Sequence, residues 1–210
     1  MTRLRLASLA LLPMLVAPIA AQTPATYDEG WFRADHWSGE WPSGVGIIAE
    51  TSVAGRAEPS PAAPREIACT LPARAVYHPW NAARSEADNV DFVSFTQKRS
   101  WEVTGEDAYA IAQADGAEVP LPPGTQWTYL VYYAEGMYQI EVDGVTYDAD
   151  QSLFEASRER EAGGEGYDEW FGLDCLNGAR AWLYLPDLAI DDVRFAPPNI
   201  VEYGRAADLD

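Results

Sequence analysis

The chain has 210 residues, with 33 Asp and Glu against 14 Lys and Arg, for a net charge of −19. Such an acid excess argues against nucleic acid and anionic membrane surfaces as partners, because both are bound through clustered basic side chains that displace counterions. Solubility alone is the simplest reason for the charge, while cationic partners, divalent metal and neutral sugars stay open.

The first residues, "MTRLRLASLALLPMLVAPIAA", place Arg3 and Arg5 before an apolar run that ends in Ala20 and Ala21. That is the three-part pattern of a secretory signal peptide over residues 1–21. Pro13 and Pro18 interrupt the run, which is shorter than the ~20 residues of a spanning helix. The expectation is therefore export to the periplasm or beyond, with no membrane insertion after cleavage. Cleavage would remove two positive charges and no acid, taking −19 to −21.

Next comes "GWFRADHWSGEWPSG", which sets Trp31, Trp37 and Trp41 beside Asp35, His36 and Glu40. Exposed rings next to carboxylates suit sugar recognition, since ring faces stack on sugar C–H faces and acids accept from hydroxyls. The other reading is packing, because large aromatics dominate buried area. The tryptophan spacing of six and four does not put all three on one strand face. Asp35 and His36 are neighbours in sequence, so on an extended strand they point to opposite faces and do not form a catalytic pair.

"VGIIAETSV", Val45 to Val53, reads as a strand, and "AGRAEPSPAAP", Ala54 to Pro64, as an exposed loop or linker whose prolines cannot join a ladder. "REIACTL" and "AVYHPW" are short strands, the second ending in Trp80; "NAARSEADN", Asn81 to Asn89, is a polar loop or single helical turn. From Val90, "VDFVSFTQ", "SWEVT" and "YAIAQ" alternate as strands do. "AEVPLPPGTQ" is rich in turn residues. It leads into "WTYLVYY", then "YQIEV" and "VTY" around Asp143-Gly144, the dipeptide that best supports a type I′ hairpin.

"QSLFEASRERE", Gln151 to Glu161, reads as one short helix with Leu153 and Phe154 inward and Arg158 to Arg160 outward. The same region opens like a calcium loop, with Asp148, Asp150, Ser152 and Glu159 at ligand positions. Leu153 stands where the loop needs glycine, so the helix start, capped by Asp150 or Ser152, is the stronger reading. No metal or cofactor is expected. "YDEWFGLDCLNGARAWLYLPDL" gives two strands around Asn177-Gly178, and the tail adds one further short strand.

Cys69 and Cys175 are the only cysteines, and an even pair in an exported chain favours one disulfide. No G-x-S-x-G, HExxH, P-loop, dinucleotide fingerprint or CxxC occurs.

The motifs "LPPG", "GMYQIEVDG" and above all "WFGLDCLNGARAWLYLPDL" resemble the closing strands of bacterial SH3-like (SH3b) barrels over residues 119–188. The helix insertion and Cys175 on a closing strand depart from that family's pattern. The resemblance implies an all-β fold of small SH3-like barrels at 119–195, tied by the disulfide and carrying one short inserted helix. It leaves 22–118 as a β-rich region, a candidate diverged second barrel, and 196–210 as a tail. It also implies a non-catalytic module that binds cell-wall glycan or peptide, or another envelope protein. The ligand residues expected are Trp31, Trp37, Trp41 and Trp80, with no catalytic residue. The competing readings are a small periplasmic hydrolase working through carboxylates, and a structural or inhibitory partner of an envelope protein.

Overall fold

The structure, a computed structural model, describes residues 26–39, 44–79, 90–113, 116–161, 166–188 and 195–196. The leader at 1–21, Trp41, Trp80, the polar run Asn81 to Asn89 and the tail past Ala196 lie outside the described residues. Short β-strands make up most of what is described, so the expected all-β class is correct.

Strand β1 (Trp31–Ala34) takes up the aromatic opening. The run from Val45 divides into β2 (Val45–Ile47) and β3 (Thr51–Gly55), which join different sheets because the chain bends between them. The proline-rich segment that follows is no open linker. Arg56 donates to the carbonyls of Pro61 and Ala63, and Ala63 is buried, so a guanidinium organises the segment from inside.

Strands β4 (Ile67–Leu71), β5 (Ala75–Tyr77), β6 (Asp91–Gln97), β7 (Arg99–Val103) and β8 (Tyr109–Ala112) fall where alternation placed them. Strand β9 (Glu118–Leu121) forms where prolines suggested turns alone. Among the described residues it pairs with β8 alone, and Pro120 is tolerated because its missing N–H faces an edge.

Strands β10 (Gln126–Tyr132), β11 (Met137–Val142) and β12 (Val145–Asp150) form a meander. Asp143 and Gly144 turn β11 into β12 with φ of 49° and 78°, the left-handed pair that a type I′ turn demands. Asp150 then caps helix α1 (Gln151–Glu155), accepting from the Ser152 amide at 2.8 Å. The helix stops at Glu155 and does not continue to Glu161. Beyond Ala156 the chain extends as β13 (Ser157–Glu159), whose pairing with β7, Arg158 opposite Glu102, satisfies more backbone than another exposed turn would. Strands β14 (Tyr167–Asp174) and β15 (Arg180–Tyr184) form the second expected hairpin, a 3-10 turn spans Leu185–Asp187, and β16 (Phe195–Ala196) follows.

The strands assemble into a four-stranded sheet β1-β6-β14-β15, a five-stranded sheet β12-β11-β10-β7-β13, a three-stranded sheet β16-β2-β5 and the pairs β3-β4 and β8-β9. Over the described residues none closes into a barrel, which corrects the expectation of small barrels. The physical reason is partner choice: β14 pairs with β6 and β15, leaving the β10–β12 meander in another sheet. Pairing also crosses residue 118, since Ile111 of β8 faces Val119 of β9 and β7 lies beside β10.

One face of the four-stranded sheet buries Phe171, Leu173 and Leu183 against Ile47, Leu71 and Tyr77, each large side chain worth about 1.5–3 kcal/mol of burial. The five-stranded sheet has its own core of Trp127, Ile140, Val142 and Leu153, with Ile111 and Leu121 from the β8-β9 pair. The Cys69–Cys175 disulfide is formed and joins β4 to the end of β14.

Candidate functional site

Strand β1 pairs with only part of β6, from Ser94 to Gln97. Asp91, Phe92 and Val93 pair with β14 on one side and, among the described residues, with no strand on the other. As β1 ends, the chain turns away through Asp35 and His36, and the notch so formed is a groove of about 490 Å³. Arg33, Asp35, His36, Pro79, Asp91, Val93 and Trp182 are among the residues that line it.

Trp182 has a specific support. Register places Gly172 opposite it, and a Cβ at Gly172 would stand 2.9 Å from the indole's Cδ2 and Cε2. The ring therefore lies against bare backbone, a position that only glycine allows. The residue is half-buried, packed beside Val93, Phe95, Trp170 and Tyr184, and it lines the groove. Around it the charges are paired and exposed: Arg33 with Asp35 at 3.2 Å, and Arg180 bridging Asp91 and Asp174.

His36 is stacked near Tyr133, ring centroids 5.1 Å apart, and its Nε2 is buried without a protein partner. Burial holds the imidazole below its ordinary pKa against the opposing pull of Asp35, so the neutral form prevails near neutrality. The Asp35 carboxylate engages Arg33, so the Asp35-His36 neighbours do not make an oriented base.

Of the tryptophans expected to bind, Trp37 is a core residue. It is 3 % exposed, donates its Nε1–H to the Trp170 carbonyl at 2.7 Å, and meets Phe92 and Phe171 edge-on. Trp31 is half-buried against the Gly166 backbone and edge-on to Tyr27. Trp41 and Trp80 lie outside the described residues. Sequence reasoning missed Trp182 and Asp91, although counting back from the Asn177-Gly178 turn would have put Trp182 across from Gly172.

Two further acids sit inside the fold. Asp168, 8 % exposed, accepts from the Tyr27 and Tyr184 hydroxyls, and Tyr27 in turn accepts from Trp170 Nε1 at 2.7 Å. Burial above all pushes both phenols well above their ordinary range, and the adjacent carboxylate adds to it. Glu169 accepts from Tyr167, whose hydroxyl also accepts from the Ser38 amide. Asp150 and Glu159, named in the calcium pattern, part company: Asp150 caps α1, held below the usual carboxylate range mainly by the Ser152 hydroxyl, and Glu159 lies on β13 beside Arg99.

No family model, curated protein or solved structure matches this chain.

Proposed function

We propose that the chain is an exported, non-catalytic module that takes cell-wall glycan into the groove beside β1 and β6. The observation that carries the reading is Trp182, laid flat on Gly172 with Asp35, Asp91 and Arg33 around it. An indole held rigid by backbone presents an apolar face at low entropic cost, and carboxylates with a guanidinium offer acceptors and donors to sugar hydroxyls. The edge of Asp91–Val93, without a strand partner on its other side among the described residues, adds backbone N–H and C=O groups to the same notch. A secretory leader and a disulfide agree in favouring an oxidising compartment, periplasmic or extracellular. The acid excess keeps nucleic acid and anionic membrane off the list of partners.

The test is retention of the mature, oxidised protein on purified peptidoglycan, with an unrelated acidic exported protein as control. Wild type should be held, and Trp182→Ala should weaken retention about tenfold or more, the loss of one well-supported aromatic contact. Because Trp182 is half-buried, the melting temperature of the variant is measured alongside. Retention by Trp182→Ala equal to wild type removes the groove from the reading, and absence of retention in wild type transfers it to a protein partner.

A further inference from the structure

A second cavity lies between the four-stranded and five-stranded sheets. Register pairs Thr96 with Tyr167 and Ser94 with Glu169 across β6 and β14, which stands four polar side chains together on one face. That face is apolar farther along, at Phe92 and Phe171. Thr96 is 7 % exposed and Ser94 is fully buried, and neither hydroxyl has a protein partner. Buried hydroxyls left unpaired oppose folding, and a ligand or water that reaches Thr96 relieves that cost.

Thr96 and Tyr167 line a space of about 280 Å³, closed on the other side by Arg99, Tyr129 and Tyr132. Among the described residues Arg99 is the one charged side chain that lines the space, while the Glu169 carboxylate stands behind it, taken up by the Tyr167 hydroxyl at 2.8 Å. The Arg99 guanidinium lies 4.6 Å from the Tyr129 ring centre, hydrogen-bonds the Tyr129 side chain, and pairs with Glu159 at the long distance of 4.0 Å. Such a guanidinium, stacked and loosely paired, is disposed to take a carboxylate in a two-pronged contact. Tyr167 is 40 % exposed, which puts the mouth of the cavity at its ring.

We propose that this cavity binds one small, singly anionic, hydroxyl-rich ligand, a carboxylated monosaccharide of the uronic-acid class. The carboxylate meets Arg99, the ring hydroxyls exchange hydrogen bonds with Thr96 and the tyrosine hydroxyls, and the space holds one sugar residue. This site is separate from the Trp182 groove and does not depend on it.

D-glucuronate is the probe, with glucose and acetate as partial mimics, each titrated calorimetrically into the mature oxidised protein. Saturable binding of glucuronate at a Kd below about 10 mM is expected, with glucose and acetate each at least about tenfold weaker. Arg99→Gln and, separately, Thr96→Val should each weaken glucuronate about tenfold while leaving peptidoglycan retention intact. The Thr96 variant preserves shape, so its free form should melt no lower than wild type. Failure of glucuronate to saturate wild type, or unchanged affinity in both variants, overturns the proposal. Loss of peptidoglycan retention in Trp182→Ala with glucuronate binding unchanged would keep the two sites distinct.

Discussion

Asp168 is a buried carboxylate on which two tyrosine hydroxyls converge. Tyr27, near the start of the described chain, and Tyr184, at the end of β15, both donate to it, and Tyr27 stacks on Phe95 at 3.7 Å between ring centres. The network pins the N-terminal segment onto the sheet. Removing the Tyr27 hydroxyl leaves the Trp170 N–H, fully buried, without an acceptor and Asp168 with one phenol fewer. Tyr27→Phe should therefore lower stability by about 1–3 kcal/mol in urea unfolding, the cost of an orphaned buried donor. A pH dependence follows from the same groups. The folded state holds the Tyr27, Tyr184 and Tyr167 phenols protonated above their ordinary value, while the unfolded chain ionises at about 10. Their contribution is complete below pH 10 and is lost as pH rises beyond it, because the unfolded state then releases protons that the folded state keeps. Phenolate absorbance for these three should appear together with loss of β circular dichroism above pH 10. Phenolate signal from Tyr27, Tyr184 and Tyr167 before any unfolding would contradict their raised values.

Among the elements, the two hairpins show how similar dipeptides do different work. Asp143-Gly144 makes the tight turn by itself, both residues left-handed. At Asn177-Gly178 only the glycine is left-handed, with φ of 79°, and the connection is longer: Cys175 N–H donates to Ala179 O, and Gly178 N–H to Cys175 O. Asn177 is freed to bond the neighbouring pair of strands. Its Nδ2 donates to Ala68 O at 2.7 Å and the Leu176 amide donates to Thr70 O at 2.9 Å, bracketing Cys69. Asn177→Ala should thus leave the β14-β15 hairpin intact yet lower stability by about 0.5–1.5 kcal/mol, the net worth of an exposed hydrogen bond. Hydrogen exchange at β4 reads it: faster exchange there with β14 unchanged is expected, and uniform change across both would refute the separation. Most strand positions were legible in the sequence because alternation and turn dipeptides act locally, whereas β9 and β13 were not. Sheet membership was not, since nothing in "WFGLDCLNGARAWLYLPDL" says that β14 prefers β6 to the meander. The groove suffered likewise. Asp35 and His36 were visible as neighbours, but Trp37 faces the core and Trp182 arrives from far along the chain.

At the scale of the whole molecule, a single covalent tie spans a sequence separation of 106 residues. It joins the β3-β4 pair to the end of β14 and thereby fixes the early half of the chain to the strand that supports the groove. In the chain-entropy account, closing a loop of that length restricts the unfolded state by about 4–5 kcal/mol. The double variant Cys69→Ala, Cys175→Ala should approach that loss in urea unfolding, with a shallower denaturant slope unexpected because the cross-linked unfolded chain exposes less surface than the free one. The slope should in fact rise. Access makes a second demand on the same bond: Cys69 is fully buried and Cys175 is 6 % exposed, so an external thiolate cannot reach either sulfur in the folded protein. Reduction by dithiothreitol should wait for unfolding, its rate reaching a plateau at high reductant that equals the unfolding rate. A reduction rate that climbs in proportion to reductant with the β signal intact would show that the bridge opens without global unfolding, and would make the tie between the two halves a local one.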